Sequence, residues 1–241
     1  MKTISHKTLL NEVWRAAGDD IPEFRLHFPM PIIGGLSMLE SAILIGLVRL
    51  TDTKQFFEFG TYLGTTSRLV ANNTGDDVEI VTLDLSPEEI AVLDPEGLNT
   101  TEKDENDDFL RHKYQELGAF FLNDLDEATQ GRVTRILCDS TKLDLGEHGL
   151  RNRFDLIFVD GGHHYDIIKS DSDLAFEMLK PSGVIVWHDY ASGIHTDVAR
   201  FLDEQSEAWG LYHIKNTMMA ICARGEAKVR FDDILERSGE A

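Results

Sequence analysis

The chain has 241 residues, 42% of them hydrophobic, enough to bury a full core and more in keeping with one large α/β domain than with two small ones. Its 23 Lys and Arg stand against 43 Asp and Glu, a formal net charge of −20 with no basic run, which argues against a nucleic-acid partner and against an anionic membrane surface. No signal-peptide pattern opens the sequence, no apolar run approaches bilayer length, and Cys138 and Cys222 fall in apolar runs where cysteine acts as a small hydrophobe, so a reducing, cytoplasmic location is expected.

Leu9, Leu10, Val13, Trp14 and Ala17 recur at helical spacing over Ser5 to Ala17, with Gly18 where a C-terminal cap would sit. Pro22, Pro29, Pro31, Gly34 and Gly35 then make a stiff segment, either a linker or a cover over a site. Ser37-Met38-Leu39-Glu40 fits a capping box and opens a helix that stays apolar through Leu50. Phe24, Phe28, Met30 and Ile33 could wall an acceptor pocket or simply pack.

Gln55 to Asn73, QFFEFGTYLGTTSRLVANN, reads as a strand, a glycine turn and a helix start. Glycine allows close backbone approach, and the free N–H groups of a helix N-terminus suit a polar ligand, so the turn is either a cofactor cradle or only a tight connection. Val78 to Leu83 is the next strand; it ends at Asp84 and precedes Ser86-Pro87-Glu88-Glu89, a helix start. The stretch from Asp94 to Asp108 is too polar and acidic to bury and is expected to be a mobile surface insertion, as a lid or a solvated loop. A helical region follows over Phe109 to Ala128, anchored by Phe109, Leu110, Leu117, Phe120, Phe121 and Leu125.

Val133 to Cys138 is a strand followed by Asp139-Ser140, and Phe154 to Val159 is a strand ending at Asp160. A helix from Tyr165 to Leu179 leads through the turn Lys180 to Gly183 into the strand Val184 to Trp187, which ends at His188-Asp189. This alternation predicts a parallel sheet covered on both faces, with ligands at the carboxyl ends of its strands. A helix over Ile194 to Glu207 precedes two strands, Leu211 to Ile214 and Met218 to Ala223, whose short connection makes them antiparallel. The last apolar positions, Val229, Phe231, Ile234 and Leu235, belong to a docked helix or a loose end.

Glu58, Asp84, Asp139 and Asp160 all stand at strand ends. One such aspartate is ordinarily a cap or turn former, but the repetition weakens that reading. A carboxylate at the end of the second core strand can accept from two ribose hydroxyls, which points to a nucleoside.

The ordered set EFGTYLGTTS, LDLSPEE, CDST, FDLIFVDGGHHYD and LKPSGVIVWHDY resembles the class I S-adenosylmethionine-dependent methyltransferases over roughly Phe56 to Ala223. Within them it is most similar to the branch of macrocin O-methyltransferases and cephalosporin-hydroxylase-like proteins, the methyltransferase 24 type, and the glycine turn also resembles that of catechol and caffeoyl-CoA O-methyltransferases. The resemblance implies a Rossmann-like, seven-stranded, mostly parallel sheet with helices on both faces and a C-terminal antiparallel pair. It implies a methyltransferase domain over residues 51–225, a tail over 226–241, and an N-terminal helical extension over 1–50 that covers the site or forms an interface, which would make a homo-oligomer.

Carried onto this sequence, the resemblance puts Gly60 and Gly64 against the methionine part of S-adenosylmethionine with Tyr62 and Thr66 beside it. Asp84 takes the ribose hydroxyls, Asp139 and Ser140 meet the adenine edge, and Glu58 contacts the cofactor or binds N–H groups of its own loop. Asp160-Gly161-Gly162-His163-His164-Tyr165 and His188-Asp189-Tyr190 close neighbouring strands and bring carboxylates and imidazoles to the mouth. His163, three residues after Asp160 where catechol-type enzymes carry a lysine, is the expected base for a hydroxyl, unless it is only a loop residue bonded to backbone. His188 is expected near the substrate. Asp160 and Asp189 could hold magnesium, although Tyr190 replaces the asparagine of the catechol-type pattern.

The function implied is O-methylation of a small-molecule hydroxyl. A metal-dependent hydroxylase-like enzyme on the same fold and a non-catalytic nucleoside-binding subunit remain as alternatives. A nicotinamide dehydrogenase fits least, because Tyr62 stands where the second glycine of its fingerprint belongs.

Overall fold

The structure is a computed structural model, and it describes residues 1–18, 22–26, 34–92 and 102–238. In chain order the elements are β1 (Lys2–Ile4), α1 (His6–Ala16), α2 (Met38–Leu50), β2 (Gln55–Phe59), α3 (Thr65–Asn72), β3 (Glu79–Asp84) and α4 (Pro87–Val92). They continue with α5 (Glu102–Leu117), α6 (Phe120–Asn123), α7 (Glu127–Gln130), β4 (Val133–Leu137), β5 (Phe154–Val159), α8 (Tyr165–Met178) and β6 (Leu179–Trp187). The chain closes with α9 (Thr196–Trp209), β7 (Tyr212–Ile214), β8 (Ala220–Ala223) and α10 (Gly225–Ser238).

The strands form one sheet in the order β1-β7-β8-β6-β5-β2-β3-β4, parallel throughout except that β8 runs antiparallel to both β6 and β7. This is the expected doubly wound sheet with one strand more: Lys2 to Ile4 adds to β7 in parallel register, Ile4 beside Ile214. The chain moves outward from β2 to β3 and β4, then returns so that β5 pairs with the other side of β2. The order therefore reverses between β2 and β5, the place where open α/β sheets leave a crevice at their carboxyl ends.

Strands in such a sheet are buried on both faces, and side chains alternate between two cores. Phe56 joins a cluster with Ile43, Leu44 and Phe231, from α2 and α10, whereas Phe57 and Phe59 join Ile168, Phe201 and Leu202, from α8 and α9, on the other face. Each side chain of this kind contributes roughly 1.5–3 kcal/mol on burial. The capping box forms in full, Ser37 Oγ accepting from the Glu40 N–H and the Glu40 carboxylate from the Ser37 N–H. α2 is thereby fixed with Glu40 pointing under the site. The terminal segment is a docked helix, with Phe231, Ile234 and Leu235 buried.

Three local expectations are corrected. The turn at Lys180 to Gly183 is absorbed into β6 as a register shift, Phe154 pairing Leu179 and Leu156 pairing Val184. The acidic stretch is helical from Glu102 onward, because α5 finds a buried partner surface for Tyr114; positions 94–101 of that stretch lie outside the described residues, as do Phe28, Met30 and Ile33. Phe109, Leu117 and Phe120 are 40–54% exposed rather than anchoring; Gly118, at φ 58°, breaks the helix, and Tyr114, Ala119 and Leu122 turn inward instead.

Candidate active site

The glycine turn lies at the reversal between β2 and β5. Gly60 has φ 88°, and a Cβ there would stand 2.1 Å from the Asp160 carbonyl oxygen, so only glycine lets β2 leave this close to the end of β5. The turn is tied to β3 through the N–H groups of Gly60 and Thr61, which donate to the Leu83 carbonyl at 2.9 and 3.1 Å. Gly64, at φ 82°, caps α3 against Leu122. Tyr62 sits between them at φ 46°, a strained angle for a tyrosine, with its ring and Leu110 of α5 both against Gly34. Thr66 is buried in the first turn of α3.

Asp84 ends β3 and holds this turn. Its Oδ2 accepts the Tyr62 N–H at 2.7 Å and its Oδ1 the Leu85 N–H at 2.8 Å. Burial raises its carboxyl to about 6, against those two hydrogen bonds. Each oxygen keeps a second lone pair, the capacity two ribose hydroxyls need.

Glu58 is turned the other way. Its Oε2 accepts from Ser67 Oγ at 2.5 Å and from Thr82 Oγ1 at 2.7 Å, and Thr82 also bonds Thr61, so the carboxyl braces β2, β3 and α3 from beneath and binds no N–H of its own loop. Burial pushes it up to about 8, the two hydroxyls opposing. Asp139 caps the short 3-10 turn Ser140–Lys142, accepting from the N–H and hydroxyl of Thr141 and pairing with Lys142 at 2.9 Å. Ser140 lies beside the buried Asp171 of α8.

The other wall of the crevice is a buried knot of imidazoles and carboxylates. His188 Nδ1 lies 3.1 Å from Asp160 and 3.2 Å from Asp189, and its Nε2 lies 3.6 Å from Glu40. Burial opposes its charged form, but the three carboxylates outweigh burial and hold His188 well above the ordinary histidine range. Glu40 is correspondingly drawn down to about 2, its desolvation outweighed by the nearby His188 imidazole and by the hydrogen bond from the Met218 N–H. His163 Nε2 approaches Asp189 Oδ2 at 3.2 Å. Burial raises Asp189, but hydrogen bonds and charge from His163 and His188 outweigh it and hold the carboxyl well below its usual range. Asp189 itself adopts φ 59°, a left-handed aspartate that turns its carboxylate back between the two rings.

The sequence profile of a methyltransferase domain matches residues 57–190, the span that runs from the glycine turn to this knot. The chain belongs to the methyltransferase-domain family. No curated protein matches it. Among solved structures it is similar to the O-methyltransferase TomG of Streptomyces achromogenes, described as involved in tomaymycin synthesis and in complex with SAM, at 16% identity, 90% coverage of each chain and TM-score 0.51. A putative caffeoyl-CoA O-methyltransferase of Staphylococcus aureus matches at 14% identity over 81% of this chain and 86% of its own, TM-score 0.54. An SAH-bound methyltransferase of Podospora anserina matches at 18% identity over 91% and 88%, TM-score 0.52. At these identities the likeness is one of fold.

Within this methyltransferase domain the expected residues divide into two groups. Gly60, Tyr62, Gly64, Thr66 and Asp84 frame one side of the crevice, and Asp160, His163, His188 and Asp189 the other, the two meeting where Gly60 touches Asp160. Glu58 supports the first group from below. Sequence reading missed Glu40 as a partner of His188, because the capping box already accounted for it, and missed His195. The third imidazole of the knot is His195, whose ring stacks on His163 at 3.6 Å and 17°, whereas His164 stands at the N-cap of α8. Nothing local to Ile194-His195-Thr196 signals that approach.

The residues fit the two implied groups unequally. The fit to the methyl donor rests on Asp84, a buried strand-end carboxylate whose two oxygens each keep a lone pair beside the glycine turn. Magnesium prefers an all-oxygen octahedron, but the shell here is two carboxylates closed by the His188 ring, and the Tyr190 hydroxyl is taken by Asp203 at 2.8 Å. That set does not suit magnesium.

Proposed function

We propose that this methyltransferase moves the methyl group of S-adenosylmethionine to a hydroxyl of a small-molecule acceptor, with His163 as general base. The observation that carries the reading is the contact of Gly60 with Asp160, which sets the cofactor turn directly against the imidazole and carboxylate knot. S-adenosylmethionine supplies an electrophilic methyl carbon; the acceptor oxygen attacks it in line as the carbon–sulfur bond breaks. The protein's share is orientation, exclusion of water and the fate of the hydroxyl proton.

Two histidines compete for that proton, and electrostatics separates them. His188 is held protonated among Asp160, Asp189 and Glu40, so it has no lone pair to offer. Its positive charge instead neutralises the carboxylates beside the incoming sulfonium. His163 carries the base role, with Asp189 orienting its ring and stabilising the imidazolium that forms. A net charge of −20 supports a small acceptor over a nucleic acid, and two unpaired cysteines, Cys222 buried and Cys138 partly so, suit a reducing cytoplasm. No helix among the described residues is long and apolar enough to cross a membrane.

Calorimetric titration with S-adenosylmethionine and S-adenosylhomocysteine tests the reading. Binding of both at micromolar or better affinity is expected; a folded protein that binds neither removes it.

A further inference from the structure

α8 carries a buried carboxyl that takes no part in the proton transfer. Asp171 is 2% exposed, and its Oδ1 finds no hydrogen-bond partner among the described residues. The Ser140 hydroxyl donates to the same carboxyl, and a Cβ on Gly161 would stand 3.1 Å from its Oδ2. Asp171 is therefore wedged between the turn after β4 and the loop after β5, strand ends three places apart in the sheet and roughly 14 Å from each other. The helix that presents it is locked in register: Ile168 and Ala175 are buried, and Ser172 Oγ accepts the Trp187 indole N–H at 2.9 Å. Burial raises the carboxyl to about 7, against the hydrogen bond from Ser140. A buried carboxyl with an orphaned oxygen costs stability, so packing gives no reason for an aspartate here.

Its chemical effect falls on Ser140. A hydroxyl has one hydrogen and two lone pairs, so Ser140, with its hydrogen given to Asp171, can only accept from a ligand. Ser140 is partly exposed and close to the carboxylate expected to take the ribose, since Leu137 of β4 pairs with Asp84 and the Asp84 carbonyl accepts the Cys138 N–H at 2.9 Å. A base carried by a ribose at Asp84 thus lies against the turn after β4. Asp139 is already engaged by the Thr141 N–H and hydroxyl and by Lys142, which leaves Ser140 as the readier acceptor. Resting on S-adenosylmethionine as the methyl donor, we propose that Asp171 is a positioning residue: it fixes Ser140 as an acceptor for the exocyclic amine of adenine and so selects an amino purine over an oxo purine. Adenine presents an N–H at that edge, and hypoxanthine presents an oxygen. Two acceptors face to face repel, whereas a released hydroxyl can turn and serve either base.

The test is calorimetric titration of the full chain with S-adenosylhomocysteine and with S-inosylhomocysteine at about pH 8, where the Asp171 carboxyl is ionised and accepts only. The parent is expected to prefer the adenine compound about 10- to 100-fold. Asp171→Leu, which removes the acceptor and keeps the volume, is expected to lower that preference about 10-fold, and Ser140→Ala to lower it equally. A residue that acts through another gives a non-additive pair, so the double variant is expected to match Ser140→Ala within about 3-fold. Thermal midpoints accompany each variant, and where Asp171→Leu fails to fold, Asp171→Ala gives the same comparison without the added volume. A preference that survives either single substitution overturns the proposal, as do additive losses in the double variant, which mark a structural role. A parent that binds both compounds equally overturns the proposal and leaves the methyltransferase reading standing; a folded parent that binds neither removes both.

Discussion

The carboxylate of Asp84 accepts the backbone N–H of Tyr62 at 2.7 Å, and so the end of β3 holds the glycine turn in the strained shape that faces the crevice. The residue expected to bind ribose is thus also the one that shapes the loop for the rest of the cofactor. Replacing it is expected to disturb both together.

Asp84→Asn must present an amide where both carboxylate oxygens now accept an N–H, so one backbone donor is left facing N–H groups. S-adenosylhomocysteine affinity is expected to fall roughly 10- to 100-fold, and stability by about 1–3 kcal/mol. Calorimetry and urea midpoints measure the two losses. Full affinity in this variant removes Asp84 from the cofactor site.

His163→Gln keeps volume and hydrogen bonding but cannot take a proton at neutral pH. Turnover is expected to drop by about 10²–10⁴-fold with S-adenosylhomocysteine affinity unchanged. A variant that retains the parent's turnover shows the proton leaving by another route.

Glu58 gives a signed pH effect. Its carboxyl is raised in the folded chain to about 8, so the protonated form is the one the fold prefers. That contribution is fully present below the unfolded value near 4.5 and is lost as pH rises toward 8, where the chain must either ionise a buried group or keep it neutral at growing cost. Glu58→Gln has no such proton. Its stability relative to the parent is expected to improve steadily between about pH 4.5 and pH 8, read from urea midpoints. A difference that stays flat across this window places an ionised carboxylate at Glu58.

Gly60→Ala forces a side chain into a left-handed residue and against the Asp160 carbonyl. Backbone strain alone costs about 1–3 kcal/mol, and relief of the clash separates β2 from β5. Loss of S-adenosylhomocysteine binding together with a lower thermal midpoint is the expected result. An alanine variant that binds normally shows that the turn moves freely.

Much of this could be read in the sequence because it is local. Alternating runs that end in Glu58, Asp84, Asp139, Asp160 and Asp189 predict a parallel sheet with its polar residues at one edge, since strand period and strand-end position depend on near neighbours. The capping box at Ser37 and Glu40 forms for the same reason. The tertiary structure alone decided that Glu40, 148 positions before His188, helps to keep that imidazole charged, and that His195 rather than His164 stacks on His163. Those outcomes depend on burial and on which elements pack together, and both are set by the folded core. The sequence by itself determined the doubly wound sheet and the crevice at its edge. Only the packing of α2 and α9 around that edge decided that His188 lies among three carboxylates and that His195 stacks on His163.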